Sequence, residues 1–94
     1  MDADKMITRI RRCQWGWMVY CPLDRWIGRS FDIYGEFSAE EAEVLRLLLP
    51  SVNGIFIDVG ANIGALTLPL ARKAAFGFAI EPQRLVFQAL CAGL

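Results

Sequence analysis

Trp15, Trp17 and Val19 alternate with Gly16, Met18 and Tyr20, the period of two that a pleated strand imposes. The run Cys21-Pro22-Leu23-Asp24-Arg25 reads as a turn, because proline withdraws a ladder donor and aspartate favours loops. Trp26–Tyr34 then predicts the return strand of a hairpin, with Gly28 at a bend and the three tryptophans as its core. Residues 1–13 are charged and lack an apolar run, and read as a flexible leader. Ser38-Ala39-Glu40-Glu41 is a capping-box sequence, a hydroxyl at the N-cap and a carboxylate at the third helical position. It predicts a helix that buries Val44, Leu45, Leu47, Leu48 and Leu49 and stops at Pro50.

Beyond the Ser51–Gly54 turn the pattern changes. Ile55–Val59 is apolar apart from Asp58 and is bounded by glycines, which predicts a central strand buried on both faces. A tight Gly60–Gly64 loop leads into a helix over 65–73, in which Pro69 must fall within the first turns. Phe76–Ile80 predicts a second strand, closed by Glu81-Pro82, and Gln83 to about Cys91 a last helix. The organisation expected is therefore a leader (1–13), a hairpin with a capped helix (14–53), and a β-α-β-α unit (54–94). The fold class is α/β.

Composition narrows the function. The 94 residues are 55% hydrophobic, too apolar for a disordered segment. Ten basic and ten acidic side chains cancel, so no electrostatic footprint for nucleic acid or an anionic membrane is expected. The cluster Arg9, Arg11 and Arg12 reads as solvated surface. Three widely spaced cysteines without a CxxC pair fit reduced thiols and a cytoplasmic setting. Histidine is absent, which removes imidazole catalysis and leaves no metal site to expect. The apolar stretch from Leu47 to Ala71 is broken by Pro50, Gly54, Gly60, Gly64 and Pro69 and carries Asp58, so it reads as domain core rather than a membrane span.

The chemistry concentrates in the second half. A glycine turn between a parallel strand and a helix admits a ligand close to the backbone and offers it the free N–H groups of the helix start. A carboxylate at the end of the next strand can accept both hydroxyls of a ribose. Gly60 stands 21 residues before Glu81, the interval such a unit requires. The loop lacks the middle glycine of a dinucleotide motif, and no Gly-Lys-Ser/Thr of a P-loop follows. Asp58 at the strand tip would repel a diphosphate but attract an ammonium group. S-adenosyl-L-methionine carries an ammonium and a sulfonium and no phosphate, and charge favours it; a nicotinamide-dependent dehydrogenase is a distant alternative.

The series Asp58-Val59-Gly60-Ala61-Asn62-Ile63-Gly64, Ala65-Leu66-Thr67-Leu68-Pro69-Leu70-Ala71 and Ala79-Ile80-Glu81-Pro82-Gln83-Arg84 resembles the FkbM family of S-adenosylmethionine-dependent methyltransferases. The likeness covers roughly residues 14–94 and departs at Leu66, where histidine is common, and in a short connection from Arg72 to Glu81. It implies the N-terminal portion of a Rossmann-like class I methyltransferase fold, its sheet incomplete. The activity implied is methyl transfer to a hydroxyl of a small-molecule or sugar acceptor. Asp58, Gly60, Ala61, Asn62, Gly64 and Glu81 would bind the cofactor, with Glu81 on the ribose hydroxyls, Asp58 near the amino acid part and Thr67 a further polar contact. The catalytic base and acceptor pocket are expected beyond Leu94. A non-catalytic cofactor-binding or interaction module and an inactive fragment stay open as alternatives, as does self-association through open sheet edges.

Overall fold

The computed structural model describes residues 8–94; the first seven positions of the expected leader lie outside the described residues. The element order is β1 (Arg9–Cys13), β2 (Gly16–Tyr20), α1 (Ile27–Tyr34), α2 (Ala39–Leu48), β3 (Ile55–Val59), α3 (Thr67–Ala71), β4 (Phe76–Ile80) and α4 (Arg84–Gly93). β1 and β2 form an antiparallel hairpin, and β3 and β4 form a separate parallel pair. The protein is thus a small α/β domain, a hairpin and two helices followed by β-α-β-α.

The hairpin differs from the one expected. Its first strand is Arg9–Cys13, so the leader does not extend to residue 13, and the segment expected as the second strand is α1. Ile27 and Phe31 lie four residues apart on the inward face of that helix, and Asp24 sets its start. The Asp24 carboxylate accepts the Gly28 N–H at 2.8 Å and its carbonyl accepts the Arg29 N–H at 2.9 Å. A Cβ on Gly28 would come within 1.8 Å of the Cys21 carbonyl oxygen, so this approach of helix to turn requires glycine. Gly35, at φ 72°, closes the helix in the left-handed conformation.

Arg9 and Arg11 of β1 are not idle surface, whereas Arg12 is exposed as expected. Arg11 donates to the carbonyls of Phe31 and Asp32 at 2.8 and 2.7 Å, satisfying acceptors in the last turn of α1. Arg9 pairs with the Asp32 carboxylate at 2.7 Å, and the Tyr20 hydroxyl donates to the same oxygen at 3.0 Å. Strand and helix are therefore joined through a shared polar cluster.

The core sits between the hairpin and the second half of the chain. Met18, Tyr20 and Phe31 pack with Ile63 and Leu68, and Trp15, Phe37, Val86 and Ala89 close around them. Trp15 contributes as expected, with the Arg46 guanidinium 4.4 Å from its ring centre, but Trp17 and Trp26 are exposed. α2 turns Ala42 inward, Leu49 just beyond its end is also buried, and Val44, Leu47 and Leu48 are exposed, contrary to the five-residue face expected of it. Ser38 does stand at its N-cap, but in the left-handed conformation (φ 53°, ψ 41°), and its side chain makes no cap bond. The capping box is consequently not formed; the Ser38 carbonyl starts the helix by accepting the Ala42 N–H at 3.0 Å.

β3 and β4 have the bounds expected of them, yet β3 is not buried on both faces. Its inner face carries Phe56 and Asp58. Its outer face, Ile55, Ile57 and Val59, is exposed. Phe56 lies against Gly77, where a Cβ would come within 2.2 Å of the ring. No helix among the described residues is long and apolar enough to cross a membrane.

Candidate functional site

The six residues singled out by sequence gather at the C-terminal ends of two adjacent parallel strands. Asp58 is the penultimate residue of β3, Gly60–Gly64 form the loop that leaves it, and Glu81 follows the last residue of β4. Parallel β-α-β units leave a crevice at this end of the sheet, because the chain departs from neighbouring strands there.

Three of these positions need unusual backbone. Gly60, Asn62 and Gly64 have φ of 77°, 54° and 102°, so the chain reverses within five residues. A Cβ on Gly60 would meet nothing within 4 Å, which leaves open space above the loop. A Cβ on Gly64 would lie 2.9 Å from Leu90, so this glycine brings the loop down onto α4. The two glycines therefore act differently, one leaving the crest open and the other permitting close packing.

Each backbone N–H from Gly60 to Gly64 has a partner within the protein. Gly60 and Ala61 both donate to the Ile80 carbonyl, at 2.8 and 3.0 Å. Asn62 donates to Glu81 Oε1 at 2.8 Å, Ile63 to the Asn62 side-chain carbonyl at 2.8 Å, and Gly64 to the Ala61 carbonyl at 3.0 Å. The N–H groups of residues 60–64 are therefore engaged within the loop, which separates them from the free donors expected at the helix start itself. α3 begins later than expected, at Thr67, and is only five residues long, with Pro69 in its first turn. The loop has used its own donors to hold its shape.

What remains at the crevice is acceptor-rich. The half-buried Glu81 accepts the Asn62 N–H through one oxygen and the Gln83 N–H, at 3.0 Å, through the other. A carboxylate offers about four lone-pair directions, so two stay open. Asp58, also half-buried, accepts the Thr67 hydroxyl at 2.6 Å through Oδ2. Thr67 is itself buried, and its hydroxyl serves to orient Asp58.

Comparison with family models, with curated proteins and with solved structures finds no match for this chain.

Beside the loop lies a cleft of about 510 Å³ between the loop, the start of α4 and the Cys21–Gly28 segment. Of the six predicted residues only Asn62 lines it; Asp24, Gln83 and Arg84 are polar neighbours that sequence reasoning did not assign to a site. A signal existed for Arg84, the first residue after Glu81-Pro82-Gln83, whereas Asp24 reaches the cleft only because the hairpin folds back over α4. Ala61 is buried, and its side chain supports the loop rather than facing the crevice.

Proposed function

We propose that the β3–loop–α3–β4–Glu81 unit binds S-adenosyl-L-methionine and that the chain belongs to a methyltransferase of the FkbM type, with a Rossmann-like sheet. The observation that carries this reading is the saturation of the loop's own N–H groups together with two carboxylates at the crevice. A phosphate needs donors, and this loop has none to spare. A ligand bearing an ammonium and two ribose hydroxyls brings donors of its own and meets Asp58 and Glu81. The same reasoning disfavours a dinucleotide, whose pyrophosphate would face acceptors.

Within this reading Glu81 has two lone pairs for the ribose, and Asp58, held by Thr67, faces the amino acid part. When bound, the cofactor supplies an electrophilic methyl group. Transfer to an acceptor hydroxyl would also need a base for the hydroxyl proton. The chain's own contribution is orientation, which a rigid crevice provides. No residue of the described loop fills the role of the base.

Titration calorimetry with S-adenosylhomocysteine tests the proposal. Saturable binding to the wild type, lost in Glu81→Ala and absent with NAD⁺, is the outcome expected. A folded wild type that takes up no S-adenosylhomocysteine, or a Glu81→Ala variant that binds it equally well, would overturn the reading.

A further inference from the structure

The outer face of the β3–β4 sheet carries an unpartnered apolar surface. The register pairs Ile55 with Phe76, Ile57 with Phe78 and Val59 with Ile80, so all six side chains emerge on one side. Each is between 52% and 75% exposed. The one charged residue of the two strands, Asp58, points to the opposite face, where Thr67 meets it. α3 and α4 follow the strands on that opposite side, and nothing among the described residues covers the outer one.

We propose that this face packs against the same face of a second copy of the chain, related by a twofold axis. Area supports the assignment. A large apolar side chain presents ~150–250 Å², so at these exposures the six offer roughly 550–900 Å² per copy. Complete twofold burial would remove roughly 1,100–1,800 Å² in total, comparable with the ~1,200–2,000 Å² of stable interfaces. A patch of this size also exceeds what most monomers leave in water. An all-apolar strip is complementary to itself, as an isologous contact demands, and two such sheets stack about 10 Å apart as in a β-sandwich. The chain's formal charge of zero raises no barrier between copies. The groove between α2 and β3, lined by Leu45, Leu48 and Ile57, continues the surface at one margin. The Gly60–Gly64 crest and Glu81 lie at the strand ends, so this pairing leaves them accessible.

Sedimentation equilibrium of the 94-residue chain over two decades of concentration provides the test, with Ile57→Lys and Phe78→Lys alongside. Both side chains are exposed, so the fold is expected to survive, as far-UV circular dichroism would verify. The wild type should convert to a closed species of twice 10.6 kDa. Either lysine should weaken that association by about tenfold or more, as at a buried interface centre. Should a lysine variant lose its dichroism, Ile57→Thr makes the same test with a residue suited to strands. A wild type that is monomeric throughout overturns the proposal. So does a dimer untouched by the substitutions, which would indicate pairing through backbone groups of the sheet edge, and so does open-ended growth.

Discussion

The Glu81 carboxylate accepts the Asn62 N–H at 2.8 Å, joining the end of β4 to the crest of the loop that leaves β3. Among the described residues Asn62 is one of three non-glycine positions with positive φ, a conformation that needs support from outside its own backbone. Glu81 supplies it, and its second oxygen holds Gln83 at the approach to α4. One side chain thus shapes the loop and places the helix.

Glu81→Ala should therefore lower stability as well as remove the proposed S-adenosylhomocysteine binding. Losing two charge-assisted hydrogen bonds at a half-buried site is expected to cost about 1–3 kcal/mol. Glu81→Gln keeps one carbonyl acceptor and should cost less. Urea unfolding followed by circular dichroism reads the difference, and equal midpoints for the alanine variant and the wild type would contradict the assigned role.

Thr67 is the buried partner of Asp58, at 2.6 Å. Thr67→Val preserves volume but leaves the half-buried carboxylate without that donor, at an expected cost of about 1–3 kcal/mol. Thr67→Ser keeps the hydroxyl and loses one methyl, about 1 kcal/mol. In the proposed site, valine should also weaken S-adenosylhomocysteine binding more than serine, which calorimetry on the two folded variants would check.

The two loop glycines should separate under alanine substitution. Gly60→Ala has open space and pays only for left-handed backbone, about 1–2 kcal/mol. Gly64→Ala combines φ 102° with a Cβ 2.9 Å from Leu90, whose side chain is almost fully buried and cannot easily yield. Strain and overpacking together predict a loss of roughly 2–4 kcal/mol. Thermal unfolding should rank Gly64→Ala well below Gly60→Ala.

The cluster joining β1, β2 and α1 should give the domain an acid limb and an alkaline limb. Hydrogen bonds from Arg9 and then Tyr20 lower the Asp32 pKa below its ordinary 3.8. A lowered folded value means that the stability contributed is complete above 3.8 and is lost as pH falls through the folded value. Burial, with the hydrogen bond to Asp32, raises the Tyr20 pKa above 10.0, so its contribution is complete below 10.0 and is lost as pH rises through the folded value. Melting temperature measured against pH should fall below about pH 4, less steeply in Asp32→Asn. It should fall again above about pH 10, less steeply in Tyr20→Phe. Unchanged slopes in both variants would remove the cluster from the account of stability.

Local signals carried the second half of the chain. Ile55–Val59 and Phe76–Ile80 are short apolar runs ended by glycine or Glu-Pro, and they are strands with those bounds. Gly60 and Gly64 do adopt positive φ, and Glu81 does reach the loop. The first half was less legible. Trp26–Tyr34 has enough aromatic and β-branched residues for a strand, but the Asp24 carboxylate, Ile27 and Phe31 at helical spacing and Gly35 at the end together make it α1. Arg9–Cys13 reads as polar surface until α1 supplies carbonyls and a carboxylate for its arginines.

The sequence by itself determined where β3 and β4 begin and end, which residues form the loop between β3 and α3, and that Glu81 stands beside it. Those outcomes depend on neighbours a few residues away and on the fixed geometry of a parallel β-α-β unit. Only the tertiary structure decided which faces are buried, whether the Ser38 hydroxyl caps, and where the N–H groups of residues 60–64 go. Burial and hydrogen-bond partners are supplied by segments distant in the chain. Ile57 and Leu68 are both aliphatic in sequence; one faces outward and the other is fully enclosed because the hairpin, α3 and α4 converge on one side of the sheet and leave the other open.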